Sequence, residues 1–168
     1  MGENGNMLLT GTFERSVDEK LRLGMPKSLR DSLGENALYL APGTDHSLAL
    51  YGEKAFAEVA SRLSAASPNA QNVRGFSRLF YARAQRVELD KAGRLRIPAE
   101  LAELAEIKGQ IILVGVGDHV ELWEPKRWKE YLLQNEPIYD EIAERAFEPV
   151  ANPTPSEHGK GAVKPLPR

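Results

Sequence analysis

The chain has no cysteine in its 168 residues, so neither a disulfide framework nor a thiolate metal site enters the account. It also lacks any apolar run near the roughly 20 residues that a membrane-crossing helix needs. The residues after Met1 (Gly2, Glu3, Asn4, Gly5 and Asn6) have neither the basic nor the apolar region of a secretory signal, and a cytoplasmic chain is expected. An excess of positive charge is missing too. The formal net charge is -2 and the isoelectric point is near 6.0, below the value of about 9 often met in nucleic-acid-binding domains. Catalytic patterns are absent: no serine sits in a nucleophile elbow, no carboxylate pair has apolar flanks that raise a pKa, and His46, His119 and His158 lack ligand spacing. No enzyme activity, cofactor, metal or small-molecule substrate is expected.

What is present is a globular composition, 42% hydrophobic and 27% charged, with an uneven spread of charge. Between Arg15 and Arg30 there are five bases against two acids. Between Arg74 and Arg96 there are seven bases against Glu88 and Asp90. The compensating acids include Glu136, Asp140, Glu141, Glu144 and Glu148 near the C-terminal end. Two basic windows in a nearly neutral chain suit a polyanion better than the total implies.

A shift of 72 residues lays the chain on itself. Asp18 falls on Asp90, Arg22 on Arg94, Leu23 on Leu95, Pro26 on Pro98, Leu29 on Leu101, Gly43 on Gly115 and Leu50 on Leu122, with Tyr51 on Trp123 and Phe56 on Trp128. A register held from residue 18 to 58 without a gap marks a tandem repeat. In the second copy Arg86 to Leu89 alternates as a half-buried strand, Asp90 to Gly93 supplies a turn, and Arg94 to Ile97 runs back in a hairpin-like element. Pro98 suits the first position of a short helix. Ile111 to Val114 and His119 to Trp123 then flank Gly115-Val116-Gly117-Asp118, which is read as a hairpin turn and not as a phosphate loop, because no helix opens after it. Copy one repeats this order, with Pro26 opening its helix, Gly34 stopping it and Lys54 to Leu63 closing the unit.

The expected organisation is a flexible start over 1–7, a first repeat over 8–67, a linking helix over 68–83, a second repeat over 84–134, an acidic helical extension over 135–148 and a disordered Pro-rich tail over 149–168. Units of about 60 residues bury only about 60% of their unfolded surface. Each therefore needs the other, or another subunit, to complete a core. Trp123, Trp128, Tyr51 and Phe56 are expected in that core or at subunit contacts.

The most specific local pattern is an aspartate, an arginine four residues on and a proline four beyond that: Asp18, Arg22, Pro26 and again Asp90, Arg94, Pro98. In either copy alone the Asp caps a turn and the Arg pairs with it as well as they serve a ligand. Repetition favours the ligand. Arg22 with Arg15 and Lys20, and Arg94 with Arg86, Lys91 and Arg96, are expected to form two outward cationic ridges, free of internal ion pairs and spaced for a duplex.

With these motifs, the opening Leu9-Thr10-Gly11-Thr12-Phe13, the helix Arg74-Gly75-Phe76-Ser77-Arg78-Leu79-Phe80 and the segment Val114 to Trp123, the chain resembles the MraZ family from Leu8 to about Leu133. The resemblance implies an α+β, β-rich fold of two tandem AbrB-like, swapped-hairpin barrel units related by a pseudo-twofold axis, with flanking helices. It implies a nucleoid-associated transcriptional regulator that binds double-stranded DNA at promoter repeats near division and cell-wall genes, its own promoter included, as a ring-like homo-oligomer. The motif arginines are then Arg22 and Arg94, the motif acids Asp18 and Asp90, and the loop base Lys20. Copy two fits closely, with Gly93 in its turn. Copy one departs at Leu21, where the family usually has glycine, at Gly24, where it has a larger apolar residue, and at Thr10, where it has a base. Leu21 resists a positive φ, so the first turn is expected to take another shape. The alternative is a non-enzymatic protein-interaction scaffold, like the antitoxin members of the AbrB superfamily.

Overall fold

The computed structural model describes residues 8–34 and 37–149. The expected flexible start and the Pro-rich tail beyond Pro149 lie outside them. The chain divides into two units, to Leu132 and from Leu133. Both copies of the repeat belong to the first. It contains β1 (Thr12–Ser16), β2 (Arg22–Gly24), α1 (Lys27–Leu33), β3 (Leu38–Pro42), β4 (Leu48–Gly52), α2 (Glu53–Ala65), α3 (Gln71–Arg83), β5 (Gln85–Val87), β6 (Arg94–Arg96), α4 (Ala99–Leu104), β7 (Gln110–Gly115), β8 (His119–Trp123) and the larger part of α5 (Pro125–Asn135). The second unit holds a 3-10 turn (Glu136–Ile138) and α6 (Tyr139–Ala146), whose first turn carries Asp140 and Glu141.

Pro26 and Pro98 stand one place earlier than expected. Each is the residue before its helix, with ψ of 138° and 136°. The ring fixes φ near the helical value while ψ stays extended, so proline turns the chain into the helix without belonging to it. Gly34 ends α1 with φ of 82°, its N–H donating to the Arg30 carbonyl. That conformation is left-handed and suits glycine.

Each copy makes its own hairpin, β3 with β4 and β7 with β8, all antiparallel. The remaining strands are exchanged. β1 of copy one pairs with β7 of copy two, and β5 of copy two pairs with β3 of copy one. β4 and β8 join the halves, giving one antiparallel sheet in the order β1-β7-β8-β4-β3-β5. The second sheet is a ribbon of β2 and β6 in which Arg22 faces Arg96, Leu23 faces Leu95 and Gly24 faces Arg94. Residues equivalent in the repeat thus meet at a pseudo-twofold axis through Leu23 and Leu95. The large sheet is open, since β1 and β5 are its two edges, and the expected closed barrels are not formed. More of the chain is helical than extended.

Leu23, Leu95, Ile97, Leu29 and Leu101 are 1% exposed or less and pack in one cluster with Leu40, Leu50, Leu113, Val120 and Leu122. A single core therefore serves both copies. The equivalent aromatic pairs lie beside the sheet, Tyr51 with Phe56 and Trp123 with Trp128, at centroid separations of 5.9 Å and 5.2 Å. The β1–β7 pairing continues to Leu9, which exchanges two backbone hydrogen bonds with Gly117. This brings Gly115 so close to the N-terminal segment that a Cβ there meets the Thr10 amide nitrogen at 2.4 Å. Backbone cannot swing aside as a side chain can. Gly115→Ala is expected to destabilise by about 1–3 kcal/mol in chemical denaturation. Gly75→Ala, in α3 with nothing within 4 Å of the new methyl, is expected to stabilise by about 0.5–1 kcal/mol.

Candidate nucleic-acid interface

The two Asp-x-x-x-Arg segments fold into the same turn. In copy two, Asp90 Oδ1 accepts hydrogen bonds from the backbone N–H groups of Ala92 and Arg94, both at 2.9 Å, while Oδ2 accepts from Arg94 Nε at 2.8 Å. In copy one, Asp18 Oδ1 accepts from the N–H groups of Lys20 and Arg22 at 2.9 Å and 2.8 Å, and Oδ2 from Arg22 Nε at 2.8 Å. Backbone bonds close both turns: Asp90 N–H to Arg94 O and Gly93 N–H to Asp90 O, matched by Asp18 to Arg22 and Leu21 to Asp18. Both oxygens of each aspartate are thus used in shaping the loop.

The expectation of arginines free of internal pairs is overturned. Arg22 and Arg94 are each in a 2.8 Å ion pair with their own motif aspartate. At this exposure, 31% and 41% for the two arginine side chains, such a pair adds only about 0–1 kcal/mol. Its main effect is geometric. The carboxylate takes Nε, and among the described residues nothing hydrogen-bonds the two terminal nitrogens of either guanidinium, which are left for an outside acceptor.

Alternation along the β2–β6 ribbon turns Leu23 and Leu95 into the core and leaves Arg22, Gly24, Arg94 and Arg96 on the other face. Arg96 is exposed and, among the described residues, its side chain makes no ion pair or hydrogen bond. Directly opposed like charges disfavour pairing, so Arg22 facing Arg96 and Arg94 beside them give a ribbon face that an anion would stabilise. Lys20 and Lys91 are exposed in the turns beside it. Arg15 and Arg86 are placed differently, on the edge strands of the large sheet. Arg15 lies over the Phe13 ring at 5.8 Å and donates to the Glu14 carbonyl. Arg86 faces Tyr39 and lies 3.7 Å from Glu88. They are not equivalent in the repeat, since the 72-residue register puts Val87 on Arg15.

A family model described as "MraZ protein, putative antitoxin-like" matches residues 8–79 and again 80–149. The chain belongs to the MraZ family. Among its relatives is "Transcriptional regulator MraZ" of Heliobacterium modesticaldum, 34% identical over 141 residues that cover 84% of this chain and 98% of that protein. The protein of the same name in Symbiobacterium thermophilum is 37% identical over 135 residues, 80% of this chain and 97% of its own. That of Finegoldia magna is 34% identical over 132 residues, 79% and 92%.

Against the usual MraZ glycine, Leu21 takes a φ of 61°, close to the 74° of Gly93. The expected change of shape in the first turn does not occur. A left-handed leucine costs about 1–2 kcal/mol. Opposing this are the bonds closing the turn, at about 1 kcal/mol each, a 2.8 Å bond from Ile97 N–H to the Leu21 carbonyl, and packing of the half-buried Leu21 side chain against the core. Several bonds outweigh one strained residue. The bond to Ile97 has its symmetry mate in Met25 N–H to the Gly93 carbonyl, so each turn is fastened to the other copy.

Sequence reasoning gave no site role to Arg30, whose side chain lies against Gly93 of the second turn. Its signals are its place at the end of the first basic window and its spacing, four residues beyond Pro26 in the series Asp18, Arg22, Pro26. Among the described residues no group of three or more histidines and carboxylates gathers as a metal site, and no helix is long and apolar enough to cross a membrane.

The backbone N–H of the motif arginine chiefly holds the Asp18 and Asp90 carboxyls below the ordinary value of 3.8; desolvation opposes it, and the arginine side chain and the second backbone N–H add smaller lowering effects. A folded pKa below the unfolded one gives stability that is fully present above the unfolded value and is lost as pH falls through the folded value. Replacing both aspartates by asparagine is expected to lower stability at neutral pH and to flatten its decline below about pH 4, read as thermal midpoints across an acid series. An unchanged acid profile would mean that the two carboxylates do not carry this linkage.

Proposed function

We propose that the protein is a sequence-specific DNA-binding transcriptional regulator that acts through the ribbon and the two turns beside it. The observation that carries this reading is the solvent face of β2–β6, where Arg22, Arg94 and Arg96 stand together with no acidic residue in either strand. A two-stranded ribbon fits the major groove of B-form DNA, and an arginine held by one edge of its guanidinium keeps donors for the O6 and N7 of guanine, about 1–3 kcal/mol of discrimination per good pair. Arg22 and Arg94 also reach phosphates, together with Lys20 and Lys91, and Arg15 and Arg86 are outlying contacts. The relatives' names as transcriptional regulators support the same role. The remaining elements of the reading are control of a division and cell-wall gene cluster, a cytoplasmic, nucleoid-associated location, and a ring-like homo-oligomer that repeats a weak contact along promoter repeats. Several linked contacts raise avidity without any new interaction.

A scaffold that binds a protein partner is the second reading. It is favoured by the same ion pairs, because Asp18 and Asp90 neutralise two of the arginines in question. A mobility-shift assay on the DNA upstream of the protein's own gene separates the two. Specific retardation at moderate salt is expected from a DNA-binding regulator and none from a scaffold. Arg22→Ala is expected to weaken that binding several-fold and to reduce the log–log salt slope by about 0.9, the value of one phosphate contact. Unchanged affinity and slope would remove Arg22 from the interface.

A further inference from the structure

The two turns are alike in backbone and unlike in what fills them. At the second, a Cβ on Gly93 would lie 2.5 Å from Arg30 Nη1, 3.0 Å from Cζ and 3.1 Å from Cδ. The Arg30 side chain of copy one thus lies flat in the space that a side chain at 93 would take. Its Nε is buried without a hydrogen-bond partner, and among the described residues its guanidinium has no carboxylate partner. At the first turn both positions are reversed. The 72-residue register puts Leu21 on Gly93 and Ala102 on Arg30. Leu21 is half-buried against the cluster that contains the buried Ala102. One turn is filled by its own leucine, the other by a cation from the opposite copy.

Charge follows the same division. The first turn balances Asp18 and Glu19 against Lys20 and Arg22 and is neutral. The second sets Asp90 against Lys91 and Arg94, a net of +1, which Arg30 raises to +2. Asp90 already spends both oxygens on the turn and on Arg94, so Arg30 gains no neutralisation from it. A guanidinium with a buried, unsatisfied donor and, among the described residues, no carboxylate partner is an unfavourable arrangement in the free protein. Nε lies out of a ligand's reach, but the side chain is only half-buried, and a phosphate oxygen at its terminal nitrogens would supply the missing counter-charge.

We propose that Arg30 completes a phosphodiester-binding site with Lys91 and Arg94, so that the second turn, built by both copies, is the stronger of two unequal DNA contacts. This rests on the DNA reading above. It makes Arg30 a contact to the DNA backbone that is also held in place by the absence of a side chain at 93.

The test uses the full-length chain and a fluorescently labelled duplex of the DNA upstream of its own gene, with anisotropy measured across a salt series. Arg30→Met keeps the stem that packs on Gly93 and is expected to weaken binding about five- to tenfold and to lower the log–log salt slope by about 0.9. Arg30→Lys is expected to retain that slope. Equal affinity and slope for wild type and Arg30→Met overturn the site, as does an Arg30→Lys slope as low as that of Arg30→Met, since packing alone would then explain the loss. A wild type that fails to bind the duplex defeats the DNA reading itself, and this site with it, whereas intact wild-type binding beside an indifferent Arg30→Met defeats the site alone.

Discussion

The pairing of Leu23 with Leu95 across the pseudo-twofold axis is the contact on which the rest of the molecule depends. Two three-residue strands are too short to hold together by backbone bonds alone. What fixes them is burial of both leucines to 1% exposure or less, on the order of 2 kcal/mol for each side chain. Because side chains alternate, that burial also decides which residues stand outside. Arg22, Arg94 and Arg96 face solvent because Leu23 and Leu95 face the core. A slip of one residue would turn the arginines inward and expose the leucines. Core packing and presentation of charge are thus one constraint.

The exchange of strands follows from the same axis. β1 lies beside β7 of the other copy before its turn, and β5 lies beside β3; after each turn the chain meets its counterpart at the β2–β6 ribbon and passes to its own hairpin. The aspartate of each turn then acts locally, tying backbone and arginine into one rigid loop, while the carbonyl of the left-handed residue ties that loop to the chain entering the other copy's short helix. These hydrogen bonds let copy one keep the shape with leucine where copy two uses glycine. The price is different at the two sites: strain at Leu21, an unsatisfied arginine nitrogen at the second turn.

Much of this was legible in the sequence. Both hairpins were marked by apolar alternation around glycine-containing turns, the repeat by its constant offset, and the short helices by proline before them and, in copy one, glycine after. Partner choice was not legible. Alternation says that residues 12–16 form a strand with one buried face, but it carries no information about which strand lies beside it. The paired state of Arg22 and Arg94 is not decided by the pattern, because repetition fits a rigid turn as well as it fits an exposed ligand. Leu21 breaks the expectation because the strain of one residue is visible in sequence and the hydrogen bonds that outweigh it are not. Arg30 stayed hidden because its neighbour Gly93 is 63 positions away in the chain and belongs to the other copy.

The exchanged strands also bear on how the polypeptide is made. Residues 12–16 have no in-sheet partner until residues 110–114 exist, and residues 38–40 lack one of theirs until residues 85–87 do. During synthesis the first copy leaves the ribosome with an open hairpin and an unpaired strand, exposed to neighbouring nascent chains. Ordering must wait for nearly the whole first unit, and loop closure over such separations slows it. Each copy alone lacks a strand that its sheet edge pairs with in the whole chain, so a truncation between them leaves unpaired edges in place of half a regulator.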